Sequence, residues 1–233
     1  MTKVLYIVGS PNPADQSSSR QVAEFMLAEL QKKQEDVTVD VRDLYNDTPF
    51  ILDATYLSAL RKMQQQAALT VEESASLAKV GAEVDKFLQY DRYIVSLPLW
   101  NFGVPPLLKA YVDNIVVPGK TFRYTAAGPV GLLAGTGKKL VIVQSSGGFY
   151  NDGPGLLLNH GSRYLEDIFR FIGIDQINTI SLGGTAIPPF DGSRVLAAKA
   201  EAAQVLAEIW QPELSLPGSS SQQPLVETST VLN

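Results

Sequence analysis

The residues able to do chemistry gather in three short polar stretches, each directly after an apolar run. The first is Gly9-Ser10-Pro11-Asn12-Pro13-Ala14-Asp15-Gln16-Ser17-Ser18-Ser19. Ser10, Ser17, Ser18 and Ser19 stand before a helix, where unpaired backbone N–H groups and the helix dipole both favour an anion. Arg20 is the one nearby cation in the sequence, so neutral donors would hold a monophosphate there; the same serines also suit plain helix capping. The second stretch is Pro98-Leu99-Trp100-Asn101-Phe102-Gly103. Trp100 and Phe102 could flank a flat, polar-edged ring whose edge bonds the loop backbone. The alternative is that both rings are ordinary core. The third is Ser145-Ser146-Gly147-Gly148. Two glycines let a backbone approach a ligand closely and offer successive N–H donors, or simply make a turn.

Other chemistries are poorly supplied. The chain has no cysteine and one histidine, His160. That excludes a disulfide framework, a thiol nucleophile, a thiolate metal site and an all-histidine site, and no metal is expected. Gly135-Thr136-Gly137 lacks the third glycine of a dinucleotide fingerprint and precedes a strand instead of following one. Lys139 follows Gly137-Lys138 where a phosphate-binding P-loop needs Ser or Thr, and Leu132 takes its first glycine position. A Ser-His-Asp triad would have to use His160, and no Gly-x-Ser-x-Gly elbow is present. Asp152 and Asp167 read as turn or surface residues. The net charge of −5 argues against a nucleic-acid surface. No basic-then-apolar leader opens the chain, and no apolar run approaches the ~20 residues of a membrane span. The expectation is a soluble, cytoplasmic protein with no membrane partner.

The elements that must position these stretches follow from pattern. Val4 to Val8 is continuously apolar and reads as a central parallel strand. Arg20 to Gln34 has helical spacing, and Val37 to Val41 alternates like a strand nearer an edge. A short helix ends near Arg61 to Gln66. Thr70-Val71-Glu72-Glu73 is a capping box opening a helix to Tyr90. Tyr93 to Leu97 is the third strand, and Pro105 and Pro106 start a helix to Val116. Val117 to Gly137 reads as a hairpin or extended excursion. Lys138 to Ser145 is a fourth strand, Leu156 to Ile172 a helix, Ile177 to Leu182 a fifth strand, and Ser193 to Trp210 a last helix. Residues 1–210 read as one domain, and 211–233 as a polar tail. Strands alternating with helices predict an α/β fold: a five-stranded parallel sheet with helices on both faces. The most apolar first strand belongs inside, so the order is 2-1-3-4-5. The ends of strands 1, 3 and 4 then open on one crevice.

Those residues carry a resemblance. Ser10 with Ser17 to Ser19, Pro98 to Phe102, Lys109-Ala110-Tyr111-Val112-Asp113, Thr121-Phe122-Arg123-Tyr124-Thr125, Gly128-Pro129 and Ser145 to Gly148 are similar to the FMN-dependent NADH-azoreductases, also described as NADH:quinone oxidoreductases. The resemblance runs from about Lys3 to Trp210. It implies a flavodoxin-like fold, a homodimer, and one non-covalent FMN per subunit at the interface. Carried over by position, Ser10 and Ser17 to Ser19 would hold the phosphate. Pro98, Leu99, Trp100, Asn101 and Phe102 would line the flavin ring, and Ser145, Ser146, Gly147 and Gly148 would approach its pyrimidine edge. Phe122 and Arg61 would face substrate. Ser146 stands where many members have arginine, and Trp100 where many have tyrosine. The implied activity is ping-pong hydride transfer from NADH or NADPH through FMN to quinones and azo dyes. No side chain acts as acid or base. The rival is a flavodoxin-type electron carrier without NAD(P)H oxidation.

Overall fold

The computed structural model describes residues 2–33, 36–189 and 191–209. The expected polar tail at 211–233, and Trp210 at the end of the last expected helix, lie outside the described residues. Five parallel strands form one sheet: β1 (Thr2–Val8), β2 (Val37–Asp43), β3 (Arg92–Pro98), β6 (Lys139–Ser145) and β7 (Gln176–Leu182). Their order is β2-β1-β3-β6-β7. With the separate β4–β5 hairpin (Phe122–Thr125 and Gly128–Gly131) set aside, this is the expected 2-1-3-4-5. Register brings the C-terminal ends level: Val8 faces Ser96, and Pro98 faces Ser145.

Side chains alternate across a strand, and the core divides by that parity. Val4, Tyr6 and Val8 pack with Val22, Met26 and Leu30 of α1 (Ser18–Lys33) and with Ala202 and Leu206 of α6 (Ser193–Ile209). Leu5 and Ile7 join Phe87 of α3 (Val71–Leu88), Leu108 and Tyr111 of α4 (Pro106–Ile115) and Phe169 of α5 (His160–Phe171). Each such fully buried large side chain contributes about 1.5–3 kcal/mol from area removed from water. Phe87 stacks on Tyr93 with centroids 4.5 Å apart, and the Tyr93 hydroxyl donates to the carbonyls of Phe87 and Tyr90 at 2.9 and 3.0 Å. The end of α3 is thereby tied to the start of β3. Among the described residues no helix is long and apolar enough to cross a membrane.

Two boundaries differ from the sequence reading. α1 begins at Ser18, so Ser18 and Ser19 belong to the helix and not to the loop before it. The helix expected from Leu156 is instead a 3-10 turn, Gly153–Leu158, followed by α5 from His160. Apolar periodicity could not see this break, because α5 is started by partners on other elements, described below.

The capping box forms as expected. Thr70 Oγ1 accepts from Glu73 N, and the Glu73 carboxylate accepts from Thr70 N at 2.8 Å. The same buried carboxylate also takes Lys62 Nζ and Ser58 Oγ, both at 2.8 Å, which joins α2 (Ala54–Gln64) to α3. Lys62 first, then the Thr70 amide and the Ser58 hydroxyl, hold the Glu73 carboxyl down at about 2, against 4.5 for an ordinary glutamate. A depressed carboxylate adds stability above its unfolded pKa, and that stability is lost as pH falls through the folded value. Glu73→Gln is therefore expected to lower the melting temperature at pH 7. The gap to wild type should close as pH falls from about 4.5 to about 2, as a pH series of thermal melts will show.

Candidate functional site

At the C-terminal edge of the sheet the three polar stretches meet. Ser10, Asn12, Gln16, Ser17, Ser18, Pro98, Leu99, Trp100, Ser145, Ser146, Gly147 and Thr185 line one open cavity of about 250 Å³. None of these side chains carries an ionisable acid or base. The chemistry of such a site must come from what binds in it.

The first wall is built by the exit from β1. Gly9 N donates to Ser96 O at 2.8 Å, so the chain leaves β1 pressed against β3. A Cβ on Gly9 would stand 3.0 Å from that carbonyl and 3.1 Å from Leu108 Cδ2. A 3-10 turn at Ala14–Gln16 then leads into α1. Ser17 O accepts the first helical bond, from Gln21 N at 2.9 Å. The amides of Ser18, Ser19 and Arg20 have no intrahelical acceptor by geometry. Ser10 Oγ accepts from Asn12 N at 3.3 Å, and the Ser17 and Ser19 hydroxyls are 3.4 Å apart. Arg20 reaches back to Asn12 O at 3.1 Å and sits 3.4 Å from Glu24 and 3.6 Å from Asp43. Two carboxylates more than offset its single charge, and its bond to Asn12 O holds the loop. The donors left for an anion are neutral hydroxyls and helix amides.

The second wall is a tight reversal. Trp100 and Gly103 exchange two backbone bonds, 3.0 and 2.9 Å. The residues between them, Asn101 and Phe102, have φ of +48° and +67°. Positive φ at both central positions is the pattern of a type I′ turn, usually filled by Asn-Gly. Asn tolerates this region; Phe does so at a cost of about 1–2 kcal/mol. The turn pushes its rings outward: Trp100 is 42% and Phe102 41% exposed. The core reading of these aromatics is thereby corrected. Phe102 leans edge-on against Tyr150, with centroids 5.6 Å apart.

The third wall is held by a loop the sequence reading passed over. Thr185 N and Oγ1 both donate to Ser146 O at 3.0 Å, Ala186 N donates to Gly147 O at 3.1 Å, and Gly184 N to Gly148 O at 2.9 Å. The carbonyls of 146 to 148 are thus occupied, and what this strip offers a ligand is donors. A Cβ on Gly147 would stand 3.3 Å from Ala186 Cβ, and one on Gly148 3.0 Å from the Tyr150 ring.

Most of the sequence-derived residues therefore come together. Ser19, fully buried, and Gly148 stand next to lining residues without lining the cavity themselves, and Asn101 and Phe102 stand exposed beside Trp100. Two residues do not join them. Arg61 is exposed on α2, and Phe122 is 5% exposed, packed on Phe171 with centroids 4.9 Å apart. The exposed ring of that hairpin is Tyr124, at 74%. Asn12, Gln16 and Thr185 were missed. The first two lie in the serine-rich loop after β1, where nothing in their residue type or spacing sets them apart. Thr185 had no local signal, since only strand order brings its loop beside Ser146.

Fold and crevice define the class: an open α/β sheet with a crevice at the switch point, where flavodoxin-like folds bind their ligands. A family model described as "Flavodoxin-like fold" matches residues 2–206. An FMN-dependent NADH:quinone oxidoreductase 2 of Listeria monocytogenes serotype 4b (strain F2365) is 40% identical over 88% of this chain and 97% of its own. An FMN-dependent NADH:quinone oxidoreductase of Staphylococcus haemolyticus (strain JCSC1435) is 36% identical over 89% and 99%. The crystal structure of an FMN-dependent NADH-azoreductase from Bacillus anthracis str. Ames Ancestor in complex with FMN superposes with a TM-score of 0.83. It is 30% identical and covers 90% of this chain and 99% of that one. The chain belongs to the flavodoxin-like fold family and, within it, to the FMN-dependent NADH:quinone oxidoreductases.

The strain at Phe102 has a direct test. Phe102→Ala and Phe102→Gly both delete the ring and differ mainly in the cost of positive φ. Phe102→Gly is expected to be the more stable by about 1 kcal/mol in urea titrations, the reverse of the usual order.

Proposed function

We propose that this crevice binds one FMN non-covalently and that the protein reduces quinones and azo compounds with electrons from NADH or NADPH. The observation that carries the reading is the cavity itself. Three loops supply hydroxyls, amides and one large exposed aromatic, and no ionisable side chain. That donor set fits the group. Ser10, Ser17, Ser18 and the first-turn amides of α1 suit a phosphate held without a lysine or arginine. Leu99 and Trp100 give the ring a flat apolar neighbour. The strip from Ser145 to Gly148, its carbonyls already taken, suits the acceptor-rich pyrimidine edge.

The chemistry FMN supplies when bound is two-electron, hydride-type exchange between a nicotinamide and a flat, electron-poor acceptor. The chain contributes position and electrostatics. Donors from Gly147 and Gly148 would favour negative charge at the pyrimidine edge, and the loops would shield one side of the ring from water. With one open face, donor and acceptor would use it in turn, the ping-pong order. The relatives' names support NADH as the donor and quinones or azo compounds as acceptors. Arg61 and the β4–β5 hairpin lie away from their own crevice. That fits a homodimer in which each chain faces its partner's site, with Tyr124 and not Phe122 the exposed hairpin ring. Residues 1–210 would be the single FMN-binding domain.

The protein purified with FMN is expected to oxidise NADH rapidly with a benzoquinone present, and neither FMN nor quinone should be dispensable. Bound FMN without NADH or NADPH oxidation would convert the reading to an electron carrier. Absence of flavin binding would remove it altogether. Gly147→Val should weaken FMN binding about tenfold or more, from overpacking against Ala186 of the order of 1.4 kcal/mol. Wild-type affinity in that variant would remove Gly147 from the site.

A further inference from the structure

Gln144 is a polar side chain directly after the apolar run of β6. Leu140 to Val143 before it are all buried, and Gln144 itself is 2% exposed. Both ends of its amide are engaged. Oε1 accepts from Ser162 N at 2.6 Å, and Nε2 donates to Asn159 Oδ1 at 3.0 Å. Ser162 N belongs to the first turn of α5, whose preceding residue, Asn159, makes no side-chain cap bond of its own. A strand residue thus caps the helix from outside. The contact is tight: a Cβ on Gly161 would lie 2.3 Å from Gln144 Oε1 and 2.8 Å from Leu99 Cδ1.

Another amide of the same first turn is taken by the aromatic loop. His160 N donates to Phe102 O at 2.9 Å, inside the positive-φ reversal. Leu99 N, at the start of the same loop, donates to Ser145 O at 2.7 Å, the residue after Gln144. The aromatic loop is therefore held at both ends by groups that Gln144 joins.

We infer that Gln144 is a positioning residue: it fixes the N-terminus of α5, and through His160 N it fixes the Leu99–Phe102 loop against which the ligand ring would lie. Gln144 does not itself line the cavity. The inference rests on the flavin reading for its ligand, but its mechanical link stands without it. Losing the cap leaves the amide of Ser162 and the side chain of Asn159 without their partner, so the helix end shifts and the reversal relaxes. The phosphate wall, built from β1 and α1, is unaffected.

Two variants test this in a Trp210→Phe background, where Trp100 is the sole tryptophan. Gln144→Leu removes both amide bonds. His160→Pro removes only the donor to Phe102, at a first-turn position where proline suits a helix. Each is measured well below its melting temperature. If Gln144→Leu fails to fold, Gln144→Met, closer in shape and also without both amide bonds, takes its place. Acrylamide quenching of Trp100 in the apoprotein should rise in both. The dissociation constants of FMN and riboflavin should rise by one common factor of about fivefold, the size of a lost hydrogen bond, leaving their ratio unchanged. Unchanged quenching and unchanged flavin affinity would overturn the proposal. So would a loss confined to FMN, which would place the effect at the phosphate wall. If the wild type binds no flavin, the functional reading fails, and Trp100 quenching alone still decides the link.

Discussion

Parallel pairing of β1, β3 and β6 forces their C-terminal ends onto one edge of the sheet, and the crevice exists because of it. Val8 lies beside Ser96, and Pro98 beside Ser145. A slip of one residue in either ladder would send core side chains to the wrong face, so burial on both sides locks the register. Within that lock the three polar stretches have nowhere to go but toward one another. Gly9 N on Ser96 O, Leu99 N on Ser145 O and Ser146 N on Leu182 O extend the ladder into the loops. The walls of the site are thus continuations of the strands, not appendages.

The site is electrically quiet. Its lining is hydroxyl, amide and apolar, and Arg20, in the first turn of α1, is committed to Asn12, Glu24 and Asp43. Tyr6 belongs to β1; its buried hydroxyl shares a 3.0 Å bond with Ser96, and burial pushes its pKa up to about 12. It remains a neutral partner within the core. A lining without acids or bases gives specificity by shape and donor placement. That is the appropriate equipment when the reactive atoms belong to a bound cofactor.

The aromatic wall shows where the fold accepts local cost. A type I′ reversal carrying Asn-Phe instead of Asn-Gly holds a phenylalanine in a region it avoids. The surrounding structure over-determines it, through the Trp100–Gly103 pair, His160 N and the edge-on contact with Tyr150. The return is a ring held outward beside Trp100 where burial alone would have turned it in. The support reaches down through α5 to Gln144, so this part of the crevice depends on a helix cap supplied by a strand.

Much of this was legible in the residues. Apolar runs, and alternation at Val37 to Val41, named all five sheet strands, the Val4–Val8 run declared itself central, and Thr70 to Glu73 announced a helix start that forms as read. The polar loops after strands 1, 3 and 4 followed from chain order, and their meeting from strand order. These are local patterns or consequences of a single topological rule. What tertiary structure decided is non-local. The break before α5 depends on Gln144 and Phe102, distant in sequence from the helix they start. Thr185 reaches Ser146 only because β7 lies beside β6. Phe122 and Tyr124 are equally aromatic in sequence, and packing against Phe171 buries one and leaves the other out. Periodicity records which face of its own element a residue occupies. It holds no record of which other element will cover that face, and that is settled only when the sheet and its helices close on one another.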